Sequence, residues 1–266
     1  MKTEPEQSTI IQVRDLTVNY GDHVVLQDVN LDVYEGEILT VAGGSGSGKS
    51  TLLRYMIGLS TPQAGRILIR GVDIAATSEE EMRGVRRQIG MLFQSSALLG
   101  SMTLFENVAL PLREFTNMPE ATIARLVGVK LAMVGLTGYD GYFPDELSGG
   151  MKKRAGIARA MALDPPVLFL DEPYAGLDPI TAAGLDILIE RINKGMGTTM
   201  VMVSHELDSI LKLAHRIVML DKHKRGIIAE GNPRELKETS SIAKVRCFFN
   251  RQTEDAVTES SGIVSD

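Results

Sequence analysis

The 266 residues include 28 Lys and Arg against 34 Asp and Glu, a formal net charge of −6 that excludes a nucleic-acid binder held by bulk charge. With 44% hydrophobic and 23% charged residues, the chain has the composition of a globular protein long enough to bury a substantial core. The single cysteine, Cys247, excludes an internal disulfide and reads as a small buried apolar residue; no run approaches the roughly 20 apolar residues that cross a bilayer, so a membrane role must come through a partner.

The pattern divides the chain in order. Residues 1–9 read as a polar tail without a signal-peptide core. Residues 10–42 read as strands: Ile10, Gln12 and Arg14 alternate against Ile11, Val13 and Leu16, and VVLQDVNLDV alternates again. Gly36 marks a turn before the β-rich run 37–42. Gly43, Gly44, Ser45, Gly46, Ser47, Gly48, Lys49 and Ser50 then fit the phosphate-loop pattern G-x-x-x-x-G-K-[ST], and the helix predicted over 49–58 follows at once. The glycines let backbone N–H groups turn toward phosphate oxygens, and the helix adds the positive end of its dipole. Lys49 is suited to the β- and γ-phosphates and the Ser50 hydroxyl to Mg²⁺, with Thr51 beside them among the expected nucleotide contacts.

A polar stretch (60–71) and further short strands lead to residue 99, closing the first part of an α/β core (10–99). Apolar residues then recur at helical spacing over 100–147, broken by Pro111, Pro119 and Gly138, and read as an inserted helical subdomain. The core resumes over 148–235 with a helix (152–163), a strand (167–170), a helix (180–194) and a strand (199–203). Alternating strands and helices predict a mostly parallel sheet covered on both faces. A helical extension (236–251) and a polar, acidic tail expected to be disordered (252–266) complete the chain. Three basic runs (Arg83, Arg86 and Arg87; Lys152 to Arg154; Lys222 to Arg225) read as solvated faces.

The apolar strand Val167 to Leu170 ends in Asp171 and Glu172. Acids at the carboxyl end of a parallel strand lie in the ligand crevice. Asp171 is suited to hold Mg²⁺ through water, and Glu172 to orient and polarise an attacking water.

These residues define a phosphate-loop ATPase. Leu147, Ser148, Gly149, Gly150 and Met151, followed by KKRAGIARA, narrow the class, because they resemble the signature of ABC (ATP-binding cassette) proteins. That resemblance implies an α/β phosphate-loop fold with an N-terminal antiparallel β subdomain. It also implies a head-to-tail homodimer in which Ser148, Gly149 and Gly150 serve the ATP of the partner subunit. On the same basis Gln94 matches the glutamine that touches Mg²⁺, Gly176 to Pro179 the loop crossing the dimer interface, and His205 the histidine that contacts the γ-phosphate. Tyr20 stands where an aromatic would stack on adenine, and equally where a plain edge-strand residue would stand. Met151 departs from the usual glutamine of the signature, which puts hydrogen bonding at that edge of the site in doubt.

The segments ENVALPLRE, DEPYAGLDPIT and VRCFF resemble, more narrowly, the ATPases of Mla-type phospholipid transport systems. That likeness implies work at the cytoplasmic face of the bacterial inner membrane, with an integral membrane permease, an MCE lipid-binding protein and a small STAS-domain protein, and with no nucleic acid. The rivals are an ATPase for lipoprotein release or small-solute transport, and a non-transport ABC ATPase. Ile242, Val245, Phe248 and Phe249 recur at near-helical spacing and admit two readings: a helix covering its own core, or one packed on the partner ATPase subunit.

Overall fold

The computed structural model describes residues 8–252, so the expected tails 1–9 and 252–266 lie almost wholly outside the described residues. Strand β1 (Thr9–Tyr20) pairs antiparallel with β2 (His23–Tyr34) and, on its other edge, with β4 (Ala64–Ile69), which β5 (Val72–Asp73) extends. Ile11, Val13, Leu16 and Val18 are all fully buried. The expected strict alternation departs in two places. Ile10 is buried as well, and the inward step from Val13 to Leu16 spans three residues because Asp15 (φ 51°) bulges there. Gly65 permits the bulge: a Cβ on it would lie 2.5 Å from the carbonyl oxygens of Arg14 and Asp15.

The second sheet has the order β10 (Gly226–Gly231), β9 (Arg216–Asp221), β3 (Ile38–Gly43), β8 (Thr199–Val203), β7 (Val167–Asp171), β6 (Ile89–Leu92). Every pairing is parallel except β10 with β9. Its inner strands are buried on both faces, which is why they read as continuous apolar runs rather than alternating ones. Leu168, Leu170, Met200 and Met202 face one apolar cluster, and Val167, Phe169, Val201 and Val203 face the other.

Helix α1 (Lys49–Met56) packs on the second cluster through Leu52, Leu53 and Met56, and α2 (Glu79–Arg86) joins it through Met82 and Val85. The first cluster is built with α3 (Leu104–Phe115), α4 (Glu120–Met133), α5 (Gly149–Ala160) and α6 (Pro179–Met196). Contrary to the break expected at Pro111, α3 runs through that residue. A capping box between Thr103 and Glu106 fixes its start, and burial of Leu104, Val108, Ala109 and Leu112 holds both sides of the proline. Helix α5 begins three residues before the expected 152, because Ser148 caps it and accepts from the Met151 N–H at 3.3 Å. Asp178 caps α6 in the same way, accepting from Ile180 and Thr181, and Gly197 (φ 66°) ends it.

After α7 (Leu207–Leu213) and the β9–β10 hairpin, α8 (Pro233–Thr239) leads to α9 (Ala243–Asn250). Val245 and Phe249 are buried against Ala42, Leu207, Ile210, Ile217 and Met219, so α9 covers its own core, the first of its two readings. Cys247 is buried as expected. One basic run needs correction. Lys153 is 4% exposed and the Arg154 guanidinium donates to the Val134 carbonyl, so 152–154 is not a solvated face. The cause is that α5 is packed on several sides at once.

Candidate active site

Strands β3, β8, β7 and β6 are consecutive neighbours and point the same way, so their carboxyl ends form one rim. Along it stand the loop 43–50 after β3, His205 two residues beyond β8, Asp171 and Glu172 at the end of β7, and Gln94 two residues beyond β6. Residues far apart in the chain are thus gathered by strand order alone.

The loop needs its glycines. A Cβ on Gly43 (φ 143°) would lie 2.3 Å from the Leu220 carbonyl oxygen, and Gly48 (φ 97°) caps α1 in the left-handed region. The Lys49 ammonium curls back to donate to the Gly43 and Gly44 carbonyls at 2.9 and 3.0 Å. Burial pulls its pKa down, opposed by the charges of Glu172 and Asp171. Ser45 and Gly46 are exposed, and Thr51 follows on α1, partly buried. The Ser47 hydroxyl is 2% exposed and has no hydrogen-bond partner among the described residues, as suits a cradle for phosphate oxygens.

The Ser50 hydroxyl donates to Oδ1 of Asp171 at 3.3 Å. Burial pushes the Asp171 carboxyl up, against the Ser50 hydrogen bond; Glu172 adds to the rise, and Lys153 and Lys49 oppose it. Glu172 itself has φ 45°, a left-handed backbone that a non-glycine residue adopts only when its surroundings impose it. They do: its N–H donates to the Val203 carbonyl at 2.9 Å, and its carbonyl accepts from Lys153 at 3.0 Å and from the Ala175 N–H at 3.2 Å. Nδ1 of His205 lies 2.8 Å from Oε2 of Glu172, close but not aligned as a hydrogen bond.

No cluster of three or more His, Cys, Asp or Glu that could hold a metal alone occurs among the described residues. Ser50 and Asp171 therefore fit an ion that arrives with a nucleotide and takes its remaining oxygens from phosphate and water. Gln94 is exposed at the rim. Tyr20 is 52% exposed at the end of β1, on the antiparallel sheet rather than on this rim.

Ser148, Gly149 and Gly150 form the start of α5, and their neighbours lie around α6. A Cβ on Gly150 would lie 2.4 Å from Thr181 Cγ2, and one on Gly149 would lie 3.8 Å from Leu177. The signature thus sits beside the loop 176–178 of its own subunit. Met151 is partly buried and packs against the apolar cluster under α5. The residues that sequence reasoning missed are Lys153, Arg159 and Asn107, which hold the Gln94 loop. Lys153 shares a buried face of α5 with Gly150 and Ile157, a spacing that its charged neighbours Lys152 and Arg154 mask in the sequence.

A phosphate loop on a parallel sheet, two acids at the end of the strand next but one and a second glycine-bearing helix start define an ATP-binding cassette. Residues 26–175 match the ABC transporter family, and the chain belongs to it. It is 41% identical over 237 residues to the intermembrane phospholipid transport system ATP-binding protein MlaF of Haemophilus influenzae, covering 89% of each chain. It is 43% identical to a probable ribonucleotide transport ATP-binding protein of Mycobacterium leprae, over 90% of this chain and 68% of that one. A dimeric cassette solved in a post-hydrolysis state with ADP and Pi superimposes with a TM-score of 0.76 at 30% identity, covering 84% of this chain and 98% of that one. The chain is an ABC ATPase, and no described helix is long and apolar enough to cross a membrane.

Proposed function

We propose that this ATPase energises phospholipid transport between the inner and outer membranes in an Mla-type system, as a homodimer on the cytoplasmic face of the inner membrane. The observation that carries the reading is the end-to-end likeness to the Haemophilus protein, 41% identity over 89% of both chains. The mycobacterial relative, named for another cargo, is matched over a smaller share of its length. An integral membrane permease, an MCE lipid-binding protein and a STAS-domain protein are the partners this reading implies. Residues 100–147 then form the helical subdomain of a core made of 10–99 and 148–235, with 236–251 as an extension.

In the proposed site Lys49 and the loop 43–48 bind the β- and γ-phosphates, Thr51 lies behind them, and Tyr20 stacks on adenine. Ser50, Asp171 and Gln94 hold Mg²⁺, which when bound neutralises phosphate charge. Glu172 orients the attacking water and accepts its proton, and His205, 2.8 Å from that carboxylate, faces the γ-phosphate. Ser148, Gly149 and Gly150 complete the partner subunit's site. The permease docks in the groove of 580 Å³ between β6 and α3, whose walls include Leu99, Leu110, Pro111 and Phe115. The test is ATP-dependent lipid transfer by the purified membrane complex, with bound lipid identified by mass spectrometry and a Glu172→Gln complex as control. ATP-dependent transfer of a ribonucleotide or lipoprotein instead would overturn the cargo.

A further inference from the structure

The nucleotide reading leaves two cations of α5 without a role, the buried Lys153 and the half-buried Arg159. Lys153 is 4% exposed, and its Nζ donates to the Gln94 carbonyl at 2.6 Å and the Glu172 carbonyl at 3.0 Å. Six residues on, the Arg159 guanidinium donates to the carbonyls of Ser96 (3.0 Å) and Ala97 (2.7 Å). Those two residues have φ 64° and 47°, left-handed values that need outside support. Between the cations, Gly156 lets β6 and the loop close in, since a Cβ there would lie 2.6 Å from Leu92 Cδ1 and 3.4 Å from Ser96 Cβ. From α3, the fully buried Asn107 accepts from the Leu99 N–H at 2.8 Å and donates to the Leu99 carbonyl at 3.1 Å. The segment 94–99 is therefore fastened at both ends and in the middle.

Of these fastenings only Lys153 reaches a second segment of the site. Burying an ammonium is expensive, and a neutral side chain would fill the same space at less cost. What the charge adds is two short charge-assisted hydrogen bonds to main chain from separate parts of the fold, strengthened by the low local dielectric. We propose that Lys153 is a positioning residue for hydrolysis. Its ammonium ties the backbones of Gln94 and Glu172 to the helix that starts at Ser148, so that the two side chains keep one spacing and follow α5 when it moves. The left-handed turn at Glu172 depends on this contact, because the carbonyl that Lys153 holds belongs to the strained residue itself. The inference rests on the roles proposed above for Gln94 and Glu172.

Lys153→Met keeps the length of the side chain and removes its donors; Lys153→Gln keeps two donors on a shorter arm. The Met variant is expected to lose about 10–100-fold in kcat, the scale of a misplaced catalytic group, while its affinity for a non-hydrolysed ATP analogue stays within about threefold of wild type. In nucleotide-free protein, amide hydrogen exchange should speed up in 94–99 and 172–177 together, with α6 and β8 unchanged, and the Gln variant should recover part of both losses. A Met variant with wild-type kcat overturns the proposal, as does an affinity loss as large as the kcat loss, or exchange that rises across the whole chain. If the Met variant does not fold, the Gln variant is judged against wild type by the same three readings. Glu172→Gln is measured alongside: normal turnover there would remove the role of Glu172, while the exchange pattern would still decide whether Lys153 joins the two segments.

Discussion

Glu172 combines a strained backbone, a carboxylate 2.8 Å from His205 and a place at the end of a buried strand. In the proposed site, binding of nucleotide does not need it, since the loop 43–50 is assigned the phosphate contacts. Glu172→Gln is therefore expected to keep ATP affinity and lose at least ~100-fold in steady-state turnover, the contribution of a positioned base. Lys49→Ala should fail differently. It removes the ammonium that the loop carbonyls hold at 2.9 and 3.0 Å, so equilibrium titration should show weaker nucleotide binding itself, and unchanged affinity would count against the loop. At this scale phosphate chemistry made the site legible: it dictates glycines, a lysine and a hydroxyl at fixed spacing, then an acid at the end of another strand of the same parallel sheet. Lys153 was not legible as a member of the site. Its neighbours Lys152 and Arg154 make it look like part of a wet surface, and only the packing of α5 against the Gln94 loop turns it inward.

Elements were legible where the apolar pattern was plain, as in the unbroken runs of β7 and β8 and the helical spacing of α6, and less so where tertiary packing overrides a local breaker. Pro111 reads as a break and sits inside α3, and Asp15 hides a bulge within an apparently regular strand. Helix α9 was ambiguous because two phenylalanines say only that something must cover them. Phe249, 4% exposed against Ala42, Ile210 and Met219, now gives a direct test in the isolated subunit. Phe249→Ala should cost about 3–5 kcal/mol, a fall in Tm on the order of 10 °C for a chain of this size. An unchanged melt would mean the ring is covered elsewhere. The proposed permease groove calls for a similar choice of residue. Leu98 packs on the apolar cluster under α3, so its replacement would damage the fold, whereas Leu99 is 41% exposed. Leu99→Asp should lower permease-stimulated turnover far more than that of the free subunit, and equal stimulation would refute docking there.

Across the whole molecule, the signature and the phosphate loop stand at the starts of different helices, α5 and α1, and Gly149 and Gly150 neighbour the segment 176–181 of their own subunit. If each ATP lies between one subunit's loop and its partner's signature, Ser148→Arg and Lys49→Ala damage different halves of a shared site. Mixed dimers should then hold one doubly damaged site and one intact one. Part of the ATPase activity should return on mixing two inactive variants, and none returning after verified subunit exchange would argue against shared sites.

Strand β3, which carries the phosphate loop at its end, lies between β8 and β9, and these belong to residues 199–203 and 216–221. During synthesis the ribosome therefore releases the loop and Gln94 well before the strands that flank β3 exist. Until then the nascent strand presents two bare edges, the kind of surface that chaperones shield and that aggregates otherwise. A product stalled before residue 199 would contain most of the expected catalytic residues and should bind no nucleotide. Retention on an ATP-analogue resin would thus separate finished chains from interrupted ones.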